Sequence, residues 1–355
     1  MSCCVLQERG HLRMLNWFKG SITRKIFGIA ILAVLLLVLF LGIIYLVVDS
    51  IMGQTGDLQE SIPTISQEEL IDEIGELDEQ ETDPIFEKAE DIFKGKDVVN
   101  ILLVGQDRRE NQKRQRSDAM IMCTINRSTK TLTMTSFLRD VWVYIPDRYN
   151  QRLNVPYLLG GFPLLNETLQ YNFGVSADYN VEVDFSGFQQ SVDLVGGVDV
   201  QLTAAEAKYL NKVRNPELHD YSQWNLTEGM NHLNGSQALA YSRIRKLDSD
   251  FGRTNRQRTV LSALLEKVRD LDTVQLYNLA KNILPLVSTD FETSQVVGLI
   301  LAMVPMLNEI EIVPQQIPLN GEYSYGSKKG ASVIILSKKN LNKAKELLTE
   351  TMKEE

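Results

Sequence analysis

An uninterrupted apolar run near the N-terminus constrains this chain more than any other feature of its sequence. Residues 26–48, IFGIAILAVLLLVLFLGIIYLVV, contain no charged side chain. A helix of this length rises about 1.5 Å per residue and spans a hydrocarbon core of roughly 30 Å. A cleaved signal peptide usually has an apolar region of only about 7–15 residues and a small-x-small exit, and this run fits neither condition. We therefore predict one uncleaved transmembrane helix over residues 26–48.

The charges on the two sides of this run differ in sign, which predicts its orientation. Residues 1–49 contain five Lys or Arg residues and two acidic residues, whereas residues 50–97 contain fifteen acidic residues and three lysines. The positive-inside rule places residues 1–25 in the cytoplasm. We expect a single-pass protein of the cell membrane with an extracytoplasmic C-terminal body. The acidic residues 49–97 are poor in aromatic side chains and predict a solvated stalk.

The body of the chain has the composition of a globular protein. Of its 355 residues, 44% are hydrophobic and 23% are charged, which excludes a wholly disordered, collagenous or coiled-coil chain. Three cysteines cannot form a disulfide framework, so the fold must depend on its core. The net charge of −9 arises in the stalk, because the residues after 97 are balanced. A local basic cluster in the body therefore needs an explanation.

Strand-like and helix-like segments alternate from residue 98 onward. The runs VVNILLVG, AMIMCTI, TLTMTSF and VWVYI are apolar without alternation, as expected of strands covered on both faces. Further strands are predicted at residues 181–185, in VDLVGGVDV, and at residues 309–314 and 332–336. Helices are predicted at residues 163–173, 204–213, 236–243, 254–269, 273–286 and 293–307, with a closing helix in the Lys/Glu-rich end.

This alternation predicts an α/β fold, a three-layer α/β/α domain with a mixed central sheet, preceded by one N-terminal transmembrane helix. The predicted domain covers residues 98–345, and residues 346–355 are assigned to a C-terminal tail.

Two charged segments of the predicted domain combine arginines with aspartates. In GQDRRENQKRQRSDAM, Asp107 and Asp118 close the two ends of an arginine-rich loop that follows a predicted strand, where open α/β sheets bind ligands. The segment YSRIRKLDSDFGRTNRQR, residues 241–258, holds five arginines together with Asp248 and Asp250. Arginine forks bind phosphate oxygens, and two carboxylates can hold a divalent cation that bridges the same phosphates. The sequence therefore predicts a phosphate and metal site.

Other interpretations of these segments remain. Either one alone is also typical of a solvated surface loop. Basic clusters favour nucleic acid as well, but the predicted topology places both segments outside the cytoplasm, so we predict no nucleic-acid partner. The chain contains neither a GxxxxGK[ST] loop nor a kinase signature, so we also predict no nucleotide.

Taken in order along the chain, these motifs resemble those of the LytR-CpsA-Psr family of cell-wall proteins. The resemblance covers roughly residues 98–270, behind a single N-terminal anchor. The matching blocks are GQDRR…RSDAM (105–120), SFLRDVWVYIP (136–146), RLNVPYLLGG (152–161), VEVDFSGFQQSVDLVGGVDV (181–200) and LNGSQALAYSRIRKLDSDFGRTNRQR (233–258).

The resemblance implies a phosphotransferase of the bacterial envelope that depends on Mg²⁺, with Mn²⁺ as a substitute. Such proteins move a glycopolymer from an undecaprenyl-pyrophosphate carrier onto peptidoglycan through a phosphodiester bond. The implied partners are the polyprenyl-pyrophosphate-linked glycopolymer, peptidoglycan and the membrane. Teichoic acid, capsule and other wall polysaccharides all stay open as the polymer.

Carried over residue by residue, the resemblance assigns roles to ten side chains. The metal ligands are Asp107 and Asp118. The catalytic residues are Asp107, Arg116, Asp118, Arg139 and Asp250. The pyrophosphate-binding residues are Arg116, Arg139, Arg243, Arg245, Arg253, Arg256 and Gln257. An apolar tunnel for the polyprenyl tail is expected within residues 155–215.

Two further functions stay open. A polyprenyl-pyrophosphate hydrolase would use water in place of the sugar acceptor and would need the same residues. A non-catalytic, wall-associated transcriptional attenuator would not need Asp107, Asp118 and all of the arginines together, so their joint presence counts against it.

Overall fold

The computed structural model describes residues 56–57, 87–92, 94–106, 114–212, 214–215, 220–221, 224–269, 271, 273–303, 306–328 and 330–353. The predicted transmembrane helix at residues 26–48, the tail before it and Asp107 lie outside these described residues. Within the described ranges, no helix is both long enough and apolar enough to cross a membrane.

Fifteen strands and eight α-helices make up the described part of the chain. The strands are β1 (Gly56–Asp57), β2 (Val98–Gln106), β3 (Ser117–Asn126), β4 (Thr131–Phe137), β5 (Trp142–Tyr144), β6 (Asn150–Arg152), β7 (Tyr179–Asp184), β8 (Val198–Leu202), β9 (Arg214–Asn215), β10 (Asp220–Tyr221), β11 (Gly229–Leu233), β12 (Val287–Thr289), β13 (Glu311–Ile317), β14 (Ser324–Lys328) and β15 (Ala331–Ile335). The helices are α1 (Val155–Phe173), α2 (Phe185–Leu194), α3 (Ala204–Leu210), α4 (Gly235–Ser242), α5 (Asp250–Arg269), α6 (Thr273–Ile283), α7 (Thr293–Met303) and α8 (Lys338–Met352).

A seven-stranded mixed sheet forms the centre of the fold. Its strands lie in the order β1-β12-β7-β2-β3-β4-β13. Strand β2 pairs antiparallel with β3 and parallel with β7, while β13 pairs parallel with β4. The mixed sheet and its helices confirm the predicted α/β class.

Helices cover both faces of this sheet. On one face, Met122 of β3 shares a buried cluster with Leu165 of α1 and Leu348 of α8. On the other face, Ile121 of the same strand clusters with Leu261 of α5. Successive side chains of a strand point to opposite faces, so a continuous apolar run needs cover on both sides. Each fully buried side chain of this size contributes about 1.5–3 kcal/mol.

A second apolar cluster joins α2, α4 and α5 to the antiparallel pair of strands β8 and β11. The inward-facing residues of β8 are buried and alternate with exposed ones, as expected of a strand with one covered face. Val192 of α2, Tyr241 of α4 and Val260 of α5 belong to the same cluster. These three helices are therefore held together as one unit above the main sheet.

The C-terminal helix is part of the core, which corrects the predicted tail at residues 346–355. Leu348 and Met352 of α8 are buried in the cluster that contains Met122 and Leu165, here called the main cluster. They continue an apolar stripe at helical spacing. The side-chain amide of Asn126 also donates to the carbonyl of Lys353 at 2.7 Å. The domain thus extends through the end of α8.

Residues 87–92 were predicted to be stalk, yet they contact the domain. The Ala89 N–H donates to the Tyr171 carbonyl at 2.7 Å, and the Ile92 N–H donates to the Gly174 carbonyl at 2.9 Å. Gly174 ends α1 with a φ of 78°, a conformation that glycine adopts most readily. The ordered domain therefore begins before residue 98.

The prediction of one strand in VDLVGGVDV is wrong. Its first residues complete α2, and the chain then turns at Gly196 and Gly197, whose φ angles are 82° and 90°. Strand β8 starts only at Val198. Helix α2 begins after Asp184, whose carboxylate accepts a hydrogen bond from the Gly187 N–H at 2.8 Å and caps the helix.

Candidate functional site

The antiparallel pairing of β3 brings distant charged residues to one edge of the sheet. Since β3 runs antiparallel to β2 and to β4, its first residues lie beside the ends of both neighbours. Asp118 is the second residue of β3, and Arg139 follows the end of β4. Asp250 and Arg253 extend from the first turn of α5 toward the same edge. With Arg245, these residues form what we term the arginine-aspartate cluster.

A β-bulge directs Asp118 into this cluster. Gly105 pairs with Ala119 and Gln106 pairs with Ser117, so Asp118 is the extra residue of β3. Bulges interrupt the regular alternation of a strand and turn a side chain in a new direction. As a result, Asp118 and Ala119 are adjacent in sequence and yet line the same cavity.

Opposite charges alternate through the cluster. Asp118 accepts from Arg139 Nη1 at Oδ1, over 2.7 Å, and from Arg245 Nη2 at Oδ2, over 3.2 Å. Asp250 Oδ1 lies 2.7 Å from Arg253 Nη2 and 3.7 Å from Arg139 Nε. Three guanidinium groups thus face two carboxylates, which leaves an excess of positive charge at the site.

The surroundings of the cluster shift the pKa values of its members in different directions. Burial lowers the pKa of Arg253 to about 10. Burial also raises the pKa of Asp250, and Arg253 and Arg139 only partly offset this effect. For Arg139, burial lowers the pKa, but the carboxylates of Asp140, Asp250 and Asp118 raise it further than burial lowers it. Arg139 and Arg253 therefore stay cationic at neutral pH, and Asp250 is a stronger base than an exposed aspartate.

An apolar cavity opens beside the cluster. It has an accessible volume of about 140 Å³ and lies between the sheet and the unit formed by α2, α4 and α5. Its wall includes Leu103 from β2, Phe188 from α2 and Leu261 from α5, whereas Asp118 and Arg245 stand among its polar residues. A site of this shape can bind a molecule with a long apolar part and an anionic head.

Of residues 155–215, where the polyprenyl tunnel is expected, only Val183, Asp184, Phe185 and Phe188 line this cavity. Helix α1 packs on the opposite face of the sheet, where Leu165 and Phe173 belong to the main cluster. The signal for the cavity lies instead in apolar residues of β2, β3, α4 and α5, which no motif distinguishes from ordinary core.

Three other predicted residues lie at or near the cavity. Arg243 lines it, with its guanidinium carbon 4.1 Å from the centroid of the Phe185 ring, a cation–π contact. Gln257 lines it as well, and its buried Oε1 has no hydrogen-bond partner among the described residues. Arg116 is half-buried and directly precedes β3. These positions agree with a role in binding a ligand.

Arg256 lies apart from the cavity wall. Its side chain is buried, and its Nε donates to Glu206 of α3 at 2.8 Å. Its Nη1 donates to the Ile244 carbonyl at 3.0 Å, and its Nη2 donates to Asp248. Two of these nitrogens hold the loop before α5 and the third ties it to α3, so we assign Arg256 a positioning role.

Asp140 and Arg152 also contact this cluster, although neither is among the predicted site residues. Arg152 Nη1 and Arg139 Nε each lie 3.5 Å from the Asp140 carboxylate. Asp140 therefore limits the orientations of Arg139 from the side opposite Asp118. The position of Asp140, directly after the predicted site residue Arg139, was the available sequence signal for its role.

The described residues supply part of a ligand set for a metal ion. The described residues contain no group of three or more His, Cys, Asp or Glu side chains placed to hold one. Asp118 supplies hard oxygen atoms at the mouth of the cavity. Mg²⁺ typically uses one or two carboxylates together with water and substrate phosphate oxygens, so Asp118 fits part of such a site. Asp107 lies outside the described residues.

Replacing Asp250 with Asn is expected to destabilise the fold. The Arg253 side chain is only 2% exposed, and removing the nearest counter-charge of a buried guanidinium should lower the free energy of unfolding by about 3 kcal/mol. Urea unfolding measures this loss. Asp248→Asn is the matched control, because Asp248 is exposed and its partner Arg256 keeps Glu206, so the loss should be about 1 kcal/mol or less. Equal losses in the two variants would contradict a stabilising role for the Asp250–Arg253 pair.

A family model described as the LytR_cpsA_psr family matches residues 65–350 of this chain. Two curated proteins also match. The polyisoprenyl-teichoic acid–peptidoglycan teichoic acid transferase TagU of Oceanobacillus iheyensis is 34% identical over 204 residues, which cover 55% of this chain and 59% of that protein. TagT of Bacillus subtilis, a transferase of the same description, is 35% identical over 188 residues, which cover 52% and 57%. The chain thus spans less than two thirds of the length of these relatives.

Solved structures share the fold. The crystal structure of B. subtilis TagT matches with a TM-score of 0.58 and 26% identity over 77% of this chain and 94% of that one. A structure of the protein YwtF (TagT) with bound octaprenyl pyrophosphate lipid matches with a TM-score of 0.56 and 25% identity, over 75% and 96% of the two chains.

Proposed function

Since the chain belongs to the LytR-CpsA-Psr family, we propose that it transfers a glycopolymer from an undecaprenyl-pyrophosphate carrier onto peptidoglycan through a phosphodiester bond. The curated relatives are transferases of polyisoprenyl-linked teichoic acid, and the TagT structure holds an octaprenyl pyrophosphate lipid. Teichoic acid is therefore the first polymer to test, ahead of capsule and other wall polysaccharides.

The observation that carries the proposal is the arginine-aspartate cluster at the mouth of the apolar cavity. Asp118, Arg245 and Arg253 contribute to the wall of the same cavity as Leu103 and the other apolar residues. A polyprenyl pyrophosphate has this combination of properties, an apolar tail joined to an anionic head. Burial of the tail excludes water, and the guanidinium groups then act on the head in surroundings of low polarity.

In the proposed reaction, the arginines neutralise charge on the transferring phosphate. A hydroxyl oxygen of the acceptor sugar attacks the phosphorus that carries the polymer, the phosphoanhydride bond breaks, and undecaprenyl phosphate leaves. Arg139 and Arg245 are oriented by Asp118 before substrate binds. Preorganised donors of this kind lower the barrier because they need little rearrangement in the transition state.

We assign Asp250 the role of accepting the proton of the attacking hydroxyl. Its Oδ1 is held by Arg253, while its buried Oδ2 has no hydrogen-bond partner among the described residues. The raised pKa of Asp250, which follows from its burial, favours proton uptake. Asp107 is the alternative proton acceptor, although a carboxylate that binds Mg²⁺ would be a weak base.

Mg²⁺, or Mn²⁺ in its place, is proposed as the cofactor, with Asp118 and Asp107 as its protein ligands. A bound divalent cation would supply further neutralisation of the pyrophosphate oxygens. The arginines would share this task and hold the pyrophosphate in position.

The proposed location is the cell membrane, with residues 26–48 as a single transmembrane anchor and the domain outside the cytoplasm. The length of the apolar run and the opposite charges of its flanks support this topology. An anchored domain would meet both a carrier lipid in the membrane and an acceptor in the wall.

The test combines the full-length protein, a lipid-linked teichoic acid and peptidoglycan oligomers, with analysis of the products. The proposal expects polymer joined to the oligomer by a phosphodiester and release of undecaprenyl phosphate in equal amount. Release of phosphorylated polymer without joining would identify the protein as a hydrolase. If the donor stays intact with Mg²⁺ and acceptor present, a non-catalytic role such as transcriptional attenuation would replace the proposal.

A further inference from the structure

Three aromatic rings in contact with one another stand next to the arginine-aspartate cluster. The rings of Phe251 and Tyr323 are stacked, with their centroids 4.5 Å apart and 23° between their planes. The ring of Tyr325 meets Tyr323 edge-on, at 5.4 Å and 84°. We name this group the aromatic ladder. Nothing in the mechanism proposed above uses it.

The ladder is fixed to the segments that carry the cluster. Phe251 directly follows Asp250 in α5. Tyr325 lies in β14, and the β14–β15 hairpin is tied to the residue after Arg139, because the Ile334 N–H donates to the Asp140 carbonyl at 2.8 Å. The position of the ladder relative to the reacting groups is therefore set by backbone contacts.

The ladder and the apolar cavity lie beside different strands of the sheet. The cavity is bounded by β7, β2 and β3, whereas the ladder follows β13, which lies beyond β4 in the order of the sheet. Arg139, at the end of β4, stands between them. A donor with its tail in the cavity would therefore leave the ladder side open to the second substrate.

Tyr325 is suited to contact that substrate. Its side chain is among the most exposed large apolar groups described, at 60%. Tyr325 is placed beside the cluster by its contact with Tyr323, which stacks on Phe251, the residue after Asp250. Its pKa is raised by burial, by the hydrogen bond and electrostatic interaction with Tyr323 and, least, by the Asp250 carboxylate. A tyrosine combines an apolar face with a polar tip. A pyranose ring complements it, because its C–H groups pack on the ring face while its hydroxyls stay hydrogen-bonded.

We propose that the aromatic ladder is a subsite for the acceptor glycan, in which an N-acetylhexosamine unit of peptidoglycan packs on Tyr325 and directs its hydroxyl toward the arginine-aspartate cluster. This inference rests on the proposed function, which supplies the acceptor. The inference adds where the acceptor glycan binds, and it names Tyr325 as the residue that contacts the acceptor sugar.

The experiment compares Tyr325→Ala with the wild type, both as full-length protein. A peptidoglycan tetrasaccharide and octaprenyl pyrophosphate are titrated separately by calorimetry, and the KM for the tetrasaccharide is measured in the transfer assay. We expect affinity for the tetrasaccharide to fall by about three- to tenfold, the range that one aromatic contact provides. Affinity for octaprenyl pyrophosphate should be unchanged. Tyr325→Phe should keep most of the affinity for the tetrasaccharide, because it keeps the ring.

Met230→Ala is the matched control, since Met230 is equally exposed, at 66%, but lies in β11. It should change neither affinity. The inference is overturned if the wild type does not bind the tetrasaccharide, or if Tyr325→Ala leaves its affinity and KM unaltered. An equal loss for both ligands would overturn it as well. If the wild type binds the tetrasaccharide through Tyr325 but forms no phosphodiester, the subsite stands and the proposed transferase function fails.

Discussion

Replacing Asp118 with Asn should reduce polymer transfer by about 10²- to 10³-fold, the usual effect of losing one preorganised electrostatic contact. Asn keeps the size of the side chain but removes the charge that pairs with Arg139 and Arg245. Both guanidinium groups would lose the carboxylate that orients them, and the charged ligand of the proposed Mg²⁺ site would be lost. Initial rates of transfer by the full-length protein measure the effect.

The Mg²⁺ dependence of the same variant separates these two roles of Asp118. If Asp118 binds the metal, the Mg²⁺ concentration for half-maximal rate should rise, and a chelator should stop transfer by the wild type. A reduced rate with an unchanged Mg²⁺ dependence would show that Asp118 acts through the arginines alone. Asp199→Asn is the control, because Asp199 forms an exposed ion pair in β8. Transfer at the wild-type rate by Asp118→Asn would exclude both roles.

Replacing Ala119 with Leu should weaken binding of octaprenyl pyrophosphate by about 2 kcal/mol, roughly thirtyfold. Ala119 lines the cavity from β3, and Leu would place three more carbon atoms in the space proposed for the lipid. Each displaced carbon of the lipid tail accounts for about 0.8 kcal/mol of burial. The fold should survive, because the added atoms enter a cavity and not a packed core.

Calorimetry with octaprenyl pyrophosphate and with inorganic pyrophosphate tests this expectation. The variant should lose affinity only for the lipid. Ala177→Leu, on the opposite face of the sheet beside the main cluster, controls for the added volume. Unchanged lipid affinity in Ala119→Leu would show that the polyprenyl tail does not enter this cavity.

The central sheet could be predicted because its strands are apolar on both faces. The runs around Leu102 in β2 and Met122 in β3 are apolar and only about eight residues long, which favours buried strands over helices. Helix α2 could not be predicted as readily. Asp184 looks like the last residue of a strand, and its role as a helix cap becomes visible only once its bond to the Gly187 N–H is known.

The residue types in the sequence identified the candidate site. The directions in which the side chains of these residues point could not be derived from the sequence. Arg253 and Arg256 lie three residues apart on α5 and should share a face. Arg253 instead meets Asp250, whereas Arg256 meets Glu206, a residue 50 positions earlier in the chain. The bulge at Asp118 is equally hidden, because the predicted strand AMIMCTI begins only at Ala119. Contacts between distant segments decide both cases.

The packing of α8 links the two ends of the domain and determines when folding can finish. Met352 belongs to the same buried cluster as Val98, and its carbonyl accepts from the Gly95 N–H at 3.4 Å. Strand β13 likewise completes the sheet edge beside β4, from which it is far removed in sequence. Contacts at such long separation form late, because a long loop must close before they stabilise anything. During synthesis, when the N-terminus emerges first, the apolar core therefore stays exposed to solvent until α8 has emerged. Until then the exposed strands must be protected from aggregation.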